Sequence, residues 1–157
     1  MTDSESTAIS RKRCSEIMTA NVRTATRGAS LREVAIMMRE GDMGAVPIVE
    51  DGKLVGIVTD RDIVVRAIAD GCDAAGSIAG AMTSELATVT PDDFAFEAIR
   101  LMGDKQVRRI PVVNDDGSLA GIIAMADVAL ETEEDKELAA ALEEISSGSS
   151  FWNKVFG

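Results

Sequence analysis

The chain has 157 residues with a net charge of −11, and 46% of its residues are apolar but only 3% are aromatic. This length holds one or two small domains, whose cores must be built from aliphatic side chains and methionine. Histidine and tyrosine are absent, which removes histidine catalysis and histidine metal sites. The negative charge argues against nucleic acid, whose binding rests on neutralising phosphates with Lys and Arg.

The first 13 residues are predicted to be a disordered N-terminal segment without an apolar signal sequence. Its basic cluster Arg11-Lys12-Arg13 is interpreted as a solvated patch, with a nucleic-acid or lipid contact as the less favoured alternative. No apolar run is long enough to span a bilayer. Cys14 and Cys72 form no C-x-x-C pair, so we expect reduced thiols and a cytoplasmic protein.

The first half of the chain opens with a short apolar pattern that ends in Met18-Thr19. Residues 22–26 alternate in polarity, which predicts a strand. Ser30 and Glu33 have the spacing of a capping box, which predicts the start of a helix. The predicted inner face of this helix consists of aliphatic and sulfur side chains: Leu31, Val34, Ala35, Met37 and Met38.

A β-hairpin is predicted next, with strands at 45–49 and 54–58. Pro47 stands near the start of the first strand, where a missing N–H is tolerated, and Asp51-Gly52 is a strong hairpin-turn signal. The second strand leads into Thr59-Asp60-Arg61-Asp62 and a helix that is expected to stop at Gly71. A strand–helix junction with a hydroxyl and a carboxylate is suited to holding a polar small molecule.

The same order of elements returns in the second half of the chain. Met82-Thr83 repeats Met18-Thr19, and residues 86–90 repeat the first predicted strand. The strand that contains Pro111 and its hairpin then lead to Ala124-Met125-Ala126-Asp127. Asp92 or Asp93 is predicted to cap the helix of this copy. The predicted helix bears the apolar residues Phe94, Ala98, Ile99, Leu101 and Met102. Two copies of strand-helix-strand-strand-helix predict a pseudo-symmetric pair with its sheets packed together.

The C-terminal region differs in composition from the two repeats. Residues 131–145 are predicted to form an acidic helix, and 146–157 a flexible tail that ends in the aromatic stretch Phe151–Phe156. Two interpretations of this stretch stay open: a docking peptide on a tether, and a cover for an apolar surface of the protein's own dimer.

Paired units that end in Gly-apolar-apolar-Thr-x-x-Asp, each with a proline-containing hairpin strand, resemble a tandem pair of CBS domains, a Bateman module of the stand-alone bacterial type. The resemblance places repeat 1 at 14–75 and repeat 2 at 76–130. It implies an α+β fold with pseudo-twofold symmetry, small sheets packed against each other and helices outside. It also implies a non-enzymatic homodimer that binds an adenosine-containing ligand (AMP, ADP, ATP or NAD) in clefts between the repeats and signals to a protein target.

For the first site, the resemblance assigns the ribose hydroxyls to Asp62, and the phosphate or ribose to the Thr59 hydroxyl. An ionised carboxylate accepts both hydroxyl protons, so the chemistry agrees. The residues implied around the adenine are apolar or belong to the repeated dipeptide: Ala45, Val46, Ile57, Met82 and Thr83. The alternative is that Thr59 and Asp62 form only a capping box, which needs no ligand.

The second site has Ala124 in place of the threonine but keeps Asp127, with Ile122 in place of Ile57. A complete capping box needs both members, whereas a ribose contact needs only the acid, so this difference favours a ligand role for the carboxylates. The resemblance assigns the phosphates to Arg108 and Arg109, with surface ion pairs as the alternative. Two sites of unequal affinity are therefore expected. The alternative function is a dimeric adaptor that recognises a partner through the acidic helix and aromatic tail.

Overall fold

The structure is a computed structural model that describes residues 11–131, with side chains as far as residue 128. The predicted disordered start, except residues 11–13, and the predicted acidic helix and aromatic tail, except residue 131, lie outside this range. The helices and strands follow in this order: α1 (Cys14–Ile17), α2 (Leu31–Gly41), β1 (Ala45–Glu50), β2 (Lys53–Thr59), α3 (Asp60–Asp62), a π-helical segment (Ile63–Ile68), a 3₁₀ turn (Ile78–Gly80), α4 (Ala95–Lys105), β3 (Arg109–Val113), β4 (Leu119–Ala124) and α5 (Met125–Glu131).

Each repeat contributes one two-stranded sheet, β1 with β2 and β3 with β4. The β1–β2 pair is antiparallel and aligns Ala45 with Thr59. At the predicted hairpin turn, Asp51 and Gly52 both have positive φ, of 52° and 77°. A tight hairpin turn of this kind requires positive φ at its two central residues, and aspartate and glycine are among the residues that tolerate it.

The predicted strands at 22–26 and 86–90 are wrong as strands. Each is reduced to one bridging residue, Ala25 against β1 and Val89 against β3, in parallel orientation. Ala25 donates its N–H to the Pro47 carbonyl at 3.0 Å and accepts from the Val49 N–H at 2.8 Å. A longer parallel ladder would need an N–H from Pro47, which proline lacks. Pro111 limits the Val89 bridge in the same way.

The α2 helix begins as predicted. The Glu33 N–H donates to Ser30 Oγ at 3.1 Å, and the Ser30 N–H donates to Glu33 Oε2 at 2.9 Å, which completes the capping box. Leu31, Val34 and Met38 are buried. Ala35, predicted on the inner face, is exposed, because the buried stripe of this helix is narrower than the apolar pattern.

The start of α4 differs from the prediction. No side chain caps the helix, because the Asp93 carboxylate accepts instead from the Thr90 N–H at 2.8 Å in the preceding turn. Phe94, predicted to lie on the helix, is instead its N-cap residue and is 45% exposed. Its ring lies 4.2 Å from the Arg13 guanidinium, a cation–π contact that suits a half-exposed aromatic side chain.

The described residues fall into two compact units. The Thr59 unit comprises Val22–Leu86 and Asp116–Leu119, and the Asp127 unit comprises 11–21, Ala87–Asp115 and 120–131. Each has its own aliphatic core. The fully buried large side chains of the Thr59 unit are Val34, Val46, Ile48, Val58 and Ile78. Those of the Asp127 unit are Ile99, Met102, Ile110, Val112, Ile123 and Val128.

Two candidate ligand sites at strand–helix junctions

In the Thr59 unit, β2 ends at a complete capping box. The Thr59 N–H donates to Asp62 Oδ2 at 3.0 Å, and the Asp62 N–H donates to Thr59 Oγ1 at 3.1 Å. The Asp60 N–H reaches the Gly44 carbonyl at 3.0 Å, which ties the first turn of the helix to the start of β1. The capping alternative is therefore realised. The Thr59 hydroxyl keeps its own proton to donate.

The second oxygen of the Asp62 carboxylate is used less fully than the first. Its Oδ1 lies 3.8 Å from Arg66 Nε, and the aspartate side chain is 19% exposed. A contact of this length is an ion pair without a hydrogen bond. Asp62 thus combines a fixed orientation, set by the cap, with an oxygen that has remaining capacity to accept.

The Met82-Thr83 segment lies against β2. The Ile57 N–H donates to the Thr83 carbonyl at 3.0 Å, and the Thr83 N–H donates to the Ile57 carbonyl at 2.9 Å. A Cβ at Gly56 would lie 2.8 Å from Met82 Sδ and 3.0 Å from the Thr83 oxygen. Glycine is needed here because the segment approaches the strand too closely for a side chain.

Most of the residues predicted for the first site therefore gather around the end of β2. Ala45 is the strand partner of Thr59, and Ile57 pairs with Thr83. Val46 is the exception, because its side chain is fully buried in the core of the unit. Arg66, which contacts Asp62, is a residue that the sequence reasoning missed. Its position four residues after Asp62 on a predicted helix was the available signal.

In the Asp127 unit, β4 ends in half of the same arrangement. The Ala124 N–H donates to Asp127 Oδ2 at 3.2 Å, and alanine offers no hydroxyl in return. The Met125 N–H donates to the Arg108 carbonyl at 2.8 Å, as Asp60 does to Gly44. The acid alone caps this junction, so keeping it does not by itself indicate a ribose contact.

The edge of β4 pairs with Met18-Thr19. The Thr19 N–H donates to the Ile122 carbonyl at 2.9 Å, and the Ile122 N–H donates to the Thr19 carbonyl at 3.0 Å. A Cβ at Gly121 would lie 2.6 Å from that Thr19 oxygen and 2.8 Å from Met18 Sδ. Thr19 and Met18 were absent from the predicted site, although the recurrence of Met-Thr in the sequence pointed to an equivalent role.

The two predicted phosphate ligands differ in exposure. Arg109 is the half-buried first residue of β3, and Arg108 is exposed beside it. Both already take part in intramolecular interactions. The backbone of Arg108 is tied to the start of α5 by the hydrogen bond from the Met125 N–H to the Arg108 carbonyl.

Other chemistry is sparse in the described part of the chain. Within residues 11–131, no group of three or more His, Cys, Asp or Glu side chains is arranged to hold a metal ion. None of the described helices is long and apolar enough to cross a membrane. Cys14 is buried, and its pKa is raised from 9.0 to about 11, chiefly by desolvation and then by the charges of Asp93 and Glu97.

Two hairpins that each deliver an acid-capped helix define a tandem-repeat α+β protein. The CBS domain profile matches residues 14–68 and 75–134, so the chain belongs to the CBS domain family, as its motifs predicted. The CBS domain-containing protein YhcV of Bacillus subtilis is 36% identical over 131 residues, which are 83% of this chain and 93% of YhcV.

Solved structures agree on the α+β fold of a CBS domain pair. The crystal structure of Hypoxic Response Protein I, with two coordinated zinc ions, has a TM-score of 0.69 and 34% identity, and the match covers 76% of this chain and 98% of that one. The CBS domain pair of MJ0100, in complex with 5′-methylthioadenosine and S-adenosyl-L-methionine, has a TM-score of 0.70 and 28% identity. That match covers 76% of this chain and 94% of the other.

Proposed function

We propose that this protein is a regulatory, non-enzymatic module that binds an adenosine-containing nucleotide at the Thr59 and Asp127 junctions and transmits occupancy to a partner. The observation that carries the proposal is the Asp62 carboxylate. Its cap fixes one oxygen, while the other has, among the described residues, only the 3.8 Å contact to Arg66. A carboxylate held in this way is suited to accept the two hydroxyl protons of a ribose.

The choice of adenosine is supported by the MJ0100 pair, whose two ligands both contain it. The Met82-Thr83 segment against β2 gives the base a backbone edge beside Ile57. AMP, ADP, ATP and NAD share the ribose that we assign to Asp62 and Asp127, so they form one ligand class for both junctions.

The phosphate assignment rests on charge. The chain carries −11 overall, yet Arg108 and Arg109 lie next to the start of α5. Guanidinium groups bind phosphate oxygens through charge-assisted and often bidentate hydrogen bonds. The Thr59 junction has its hydroxyl in place of such a pair. We therefore propose that the Asp127 junction favours the more highly phosphorylated ligands of the class.

Isothermal titration calorimetry with AMP, ADP, ATP, NAD and S-adenosylmethionine tests the proposal. Asp62→Asn and Asp127→Asn keep an oxygen for the helix cap but remove the charge, and each is expected to weaken its own site by at least about tenfold, or 1.4 kcal/mol. Asp60→Asn is the matched control, because Asp60 is exposed in the same turn and its carboxylate, within residues 11–131, bonds only the Arg61 N–H. The proposal is contradicted if the wild-type protein binds none of these ligands, or if both test variants bind them with unchanged affinity.

We further propose a homodimer. Val64, Val65 and Ile68 are 56%, 50% and 62% exposed on one short helical segment, and clustered aliphatic exposure of this kind marks a surface that another chain covers. Light scattering coupled to size-exclusion chromatography measures the mass. The double variant Val64→Ser/Ile68→Ser is expected to shift a dimer to monomer, and a wild-type mass of one chain would rule the dimer out.

A further inference from the structure

Arg66 joins two parts of the Thr59 junction that are distant in sequence. Its Nε lies 3.8 Å from Asp62 Oδ1, and its Nη1 donates a long hydrogen bond of 3.4 Å to the Met82 carbonyl. One guanidinium therefore contacts both the capping carboxylate and the segment that pairs with β2. Neither contact belongs to the cap itself, which is complete through Thr59.

The stabilising effect of these contacts on the fold is small. The Arg66 side chain is 50% exposed, and an exposed i,i+4 ion pair contributes little to stability because solvent screens it. The Met82-Thr83 segment is already held by two backbone hydrogen bonds to Ile57. The contacts of Arg66 therefore contribute little to the stability of the fold.

We propose that Arg66 is a positioning residue for an adenosine ligand at the Thr59 junction, an inference that rests on the proposed function. By holding the Met82 carbonyl next to Asp62 Oδ1, it fixes the distance between the edge that borders the base and the acid that binds the ribose. A ligand that carries both groups on one rigid nucleoside then binds without ordering the junction first. The arginine acts through Asp62 and Met82, and the phosphates of the ligand are not its target.

The second junction supplies an internal contrast. Asp127 corresponds to Asp62, and four residues later the chain has Glu131 in place of an arginine. An acid at that position cannot donate to a backbone carbonyl or pair with a carboxylate. The dependence on Arg66 is therefore confined to the Thr59 junction, and this adds a second source of unequal affinity to the missing hydroxyl at Ala124.

The test uses adenosine, 2′-deoxyadenosine and AMP as probes, with calorimetry on the full chain in an Asp127→Asn background that weakens the other junction. Arg66→Ala is expected to weaken adenosine and AMP by the same factor of about twofold, because the exposed contacts of Arg66 are weak and both ligands present the same ribose to Asp62. The loss of affinity caused by Arg66→Ala is expected to be smaller for 2′-deoxyadenosine, which lacks one of the two ribose hydroxyls. Arg61→Ala is the matched control, since the exposed Arg61 side chain makes no ion pair or hydrogen bond within residues 11–131.

Two further measurements separate positioning from other roles. The melting temperature of Arg66→Ala is expected to stay within about 2 °C of the parent, whereas a purely structural role would lower it along with affinity. In an Asp62→Asn background, Arg66→Ala is expected to cause no further loss of adenosine affinity, because the two residues act as one unit. Arg66→Lys, which keeps the charge and a single donor nitrogen, is expected to recover part of the affinity.

Each contrary outcome has a distinct meaning. Wild-type affinity in Arg66→Ala overturns the role of Arg66 and leaves the proposed function standing. A larger loss for AMP than for adenosine overturns positioning in favour of a direct phosphate contact. The positioning role is also overturned if the losses of adenosine affinity from Arg66→Ala and Asp62→Asn add in the double variant, or if Arg66→Ala lowers the melting temperature. The proposed function and this inference are overturned together if the parent protein binds neither adenosine nor AMP when each is present at about a hundred times a micromolar Kd.

Discussion

The two strand–helix junctions share a backbone plan and differ in side chains. In both, the first helical N–H donates to a carbonyl just before the first hairpin strand, at Gly44 or at Arg108. In both, an acid three residues after the end of the strand accepts the N–H of that end. The Thr59 junction adds a hydroxyl that completes the box, and Ala124 leaves the other junction with one cap bond fewer.

This difference shows which part of the motif the fold itself uses. Asp127 caps the Ala124 N–H without any hydroxyl partner, so an acid at this position has a structural task in each copy. The expectation that a retained acid points to a ribose was therefore too simple. The Thr59 hydroxyl and the Arg66 contact distinguish the two junctions. We therefore expect these two features to cause any difference in ligand affinity between them.

The largest effect is expected from the glycine of each junction. A Cβ at Gly121 would lie 2.6 Å from the Thr19 backbone oxygen, whereas one at Gly56 would lie 3.0 Å from that of Thr83. Gly121→Ala is therefore expected to lower the free energy of unfolding by about 3 kcal/mol and Gly56→Ala by about 1 kcal/mol. Urea denaturation measures both. Gly80→Ala, with no atom within 4 Å of the new Cβ, is the control, and equal losses at Gly56 and Gly121 would contradict the comparison.

The buried thiol of the Asp127 unit offers a smaller, pH-dependent contrast. The pKa of Cys14 is about 11 in the folded chain and 9.0 when unperturbed. Above pH 9 the unfolded thiol loses its proton while the folded one keeps it, so stability falls as pH rises towards 11. The stability difference between wild type and Cys14→Ala is expected to narrow by roughly 1–2 kcal/mol from pH 8 to pH 11.

Ile99→Val, which shortens a fully buried and non-titrating side chain of the Asp127 unit, is the control for that measurement. It is expected to leave the difference from wild type independent of pH over the same range. Denaturation at fixed pH values, with both variants in parallel, gives the two slopes. A parallel pH dependence for the Cys14→Ala and wild-type proteins would show that the buried thiol does not titrate in this way.

The smallest expected effect comes from exchanging the capping side chains. Thr59→Ala removes the acceptor of the Asp62 N–H and is expected to cost about 1 kcal/mol. Ala124→Thr supplies the missing acceptor to α5 and is expected to gain up to about 1 kcal/mol. Thr59→Ser keeps the hydroxyl and serves as the control. If Ala124→Thr is neutral and Thr59→Ala is costly, the two junctions are not equivalent in backbone geometry.

Much of the fold was readable from local sequence. Ser30 and Glu33 predicted the start of α2, and Asp51-Gly52 predicted the positive φ values of the hairpin turn, because caps and turns depend on residues only a few positions apart. The two copies were visible because the proline strand and the glycine–acid junction recur in order. Local signals failed at α4, where Asp93 bonds the preceding turn, and at Phe94, which stacks on Arg13 from a distant segment.

The candidate site divides in the same way. The sequence determined which residues end each return strand, and hence Thr59, Asp62, Ala124 and Asp127, because a strand, an N-cap and a first-turn acid are contiguous. Only the tertiary structure decided that Thr83 lies on Ile57, that Thr19 lies on Ile122, and that Arg66 reaches the Met82 carbonyl. Those contacts join segments that are separated along the chain, so local side-chain patterns fix neither the partner atoms nor the distances between them. Gly56 and Gly121 permit this pairing, because each leaves room for a backbone segment that only folding brings there.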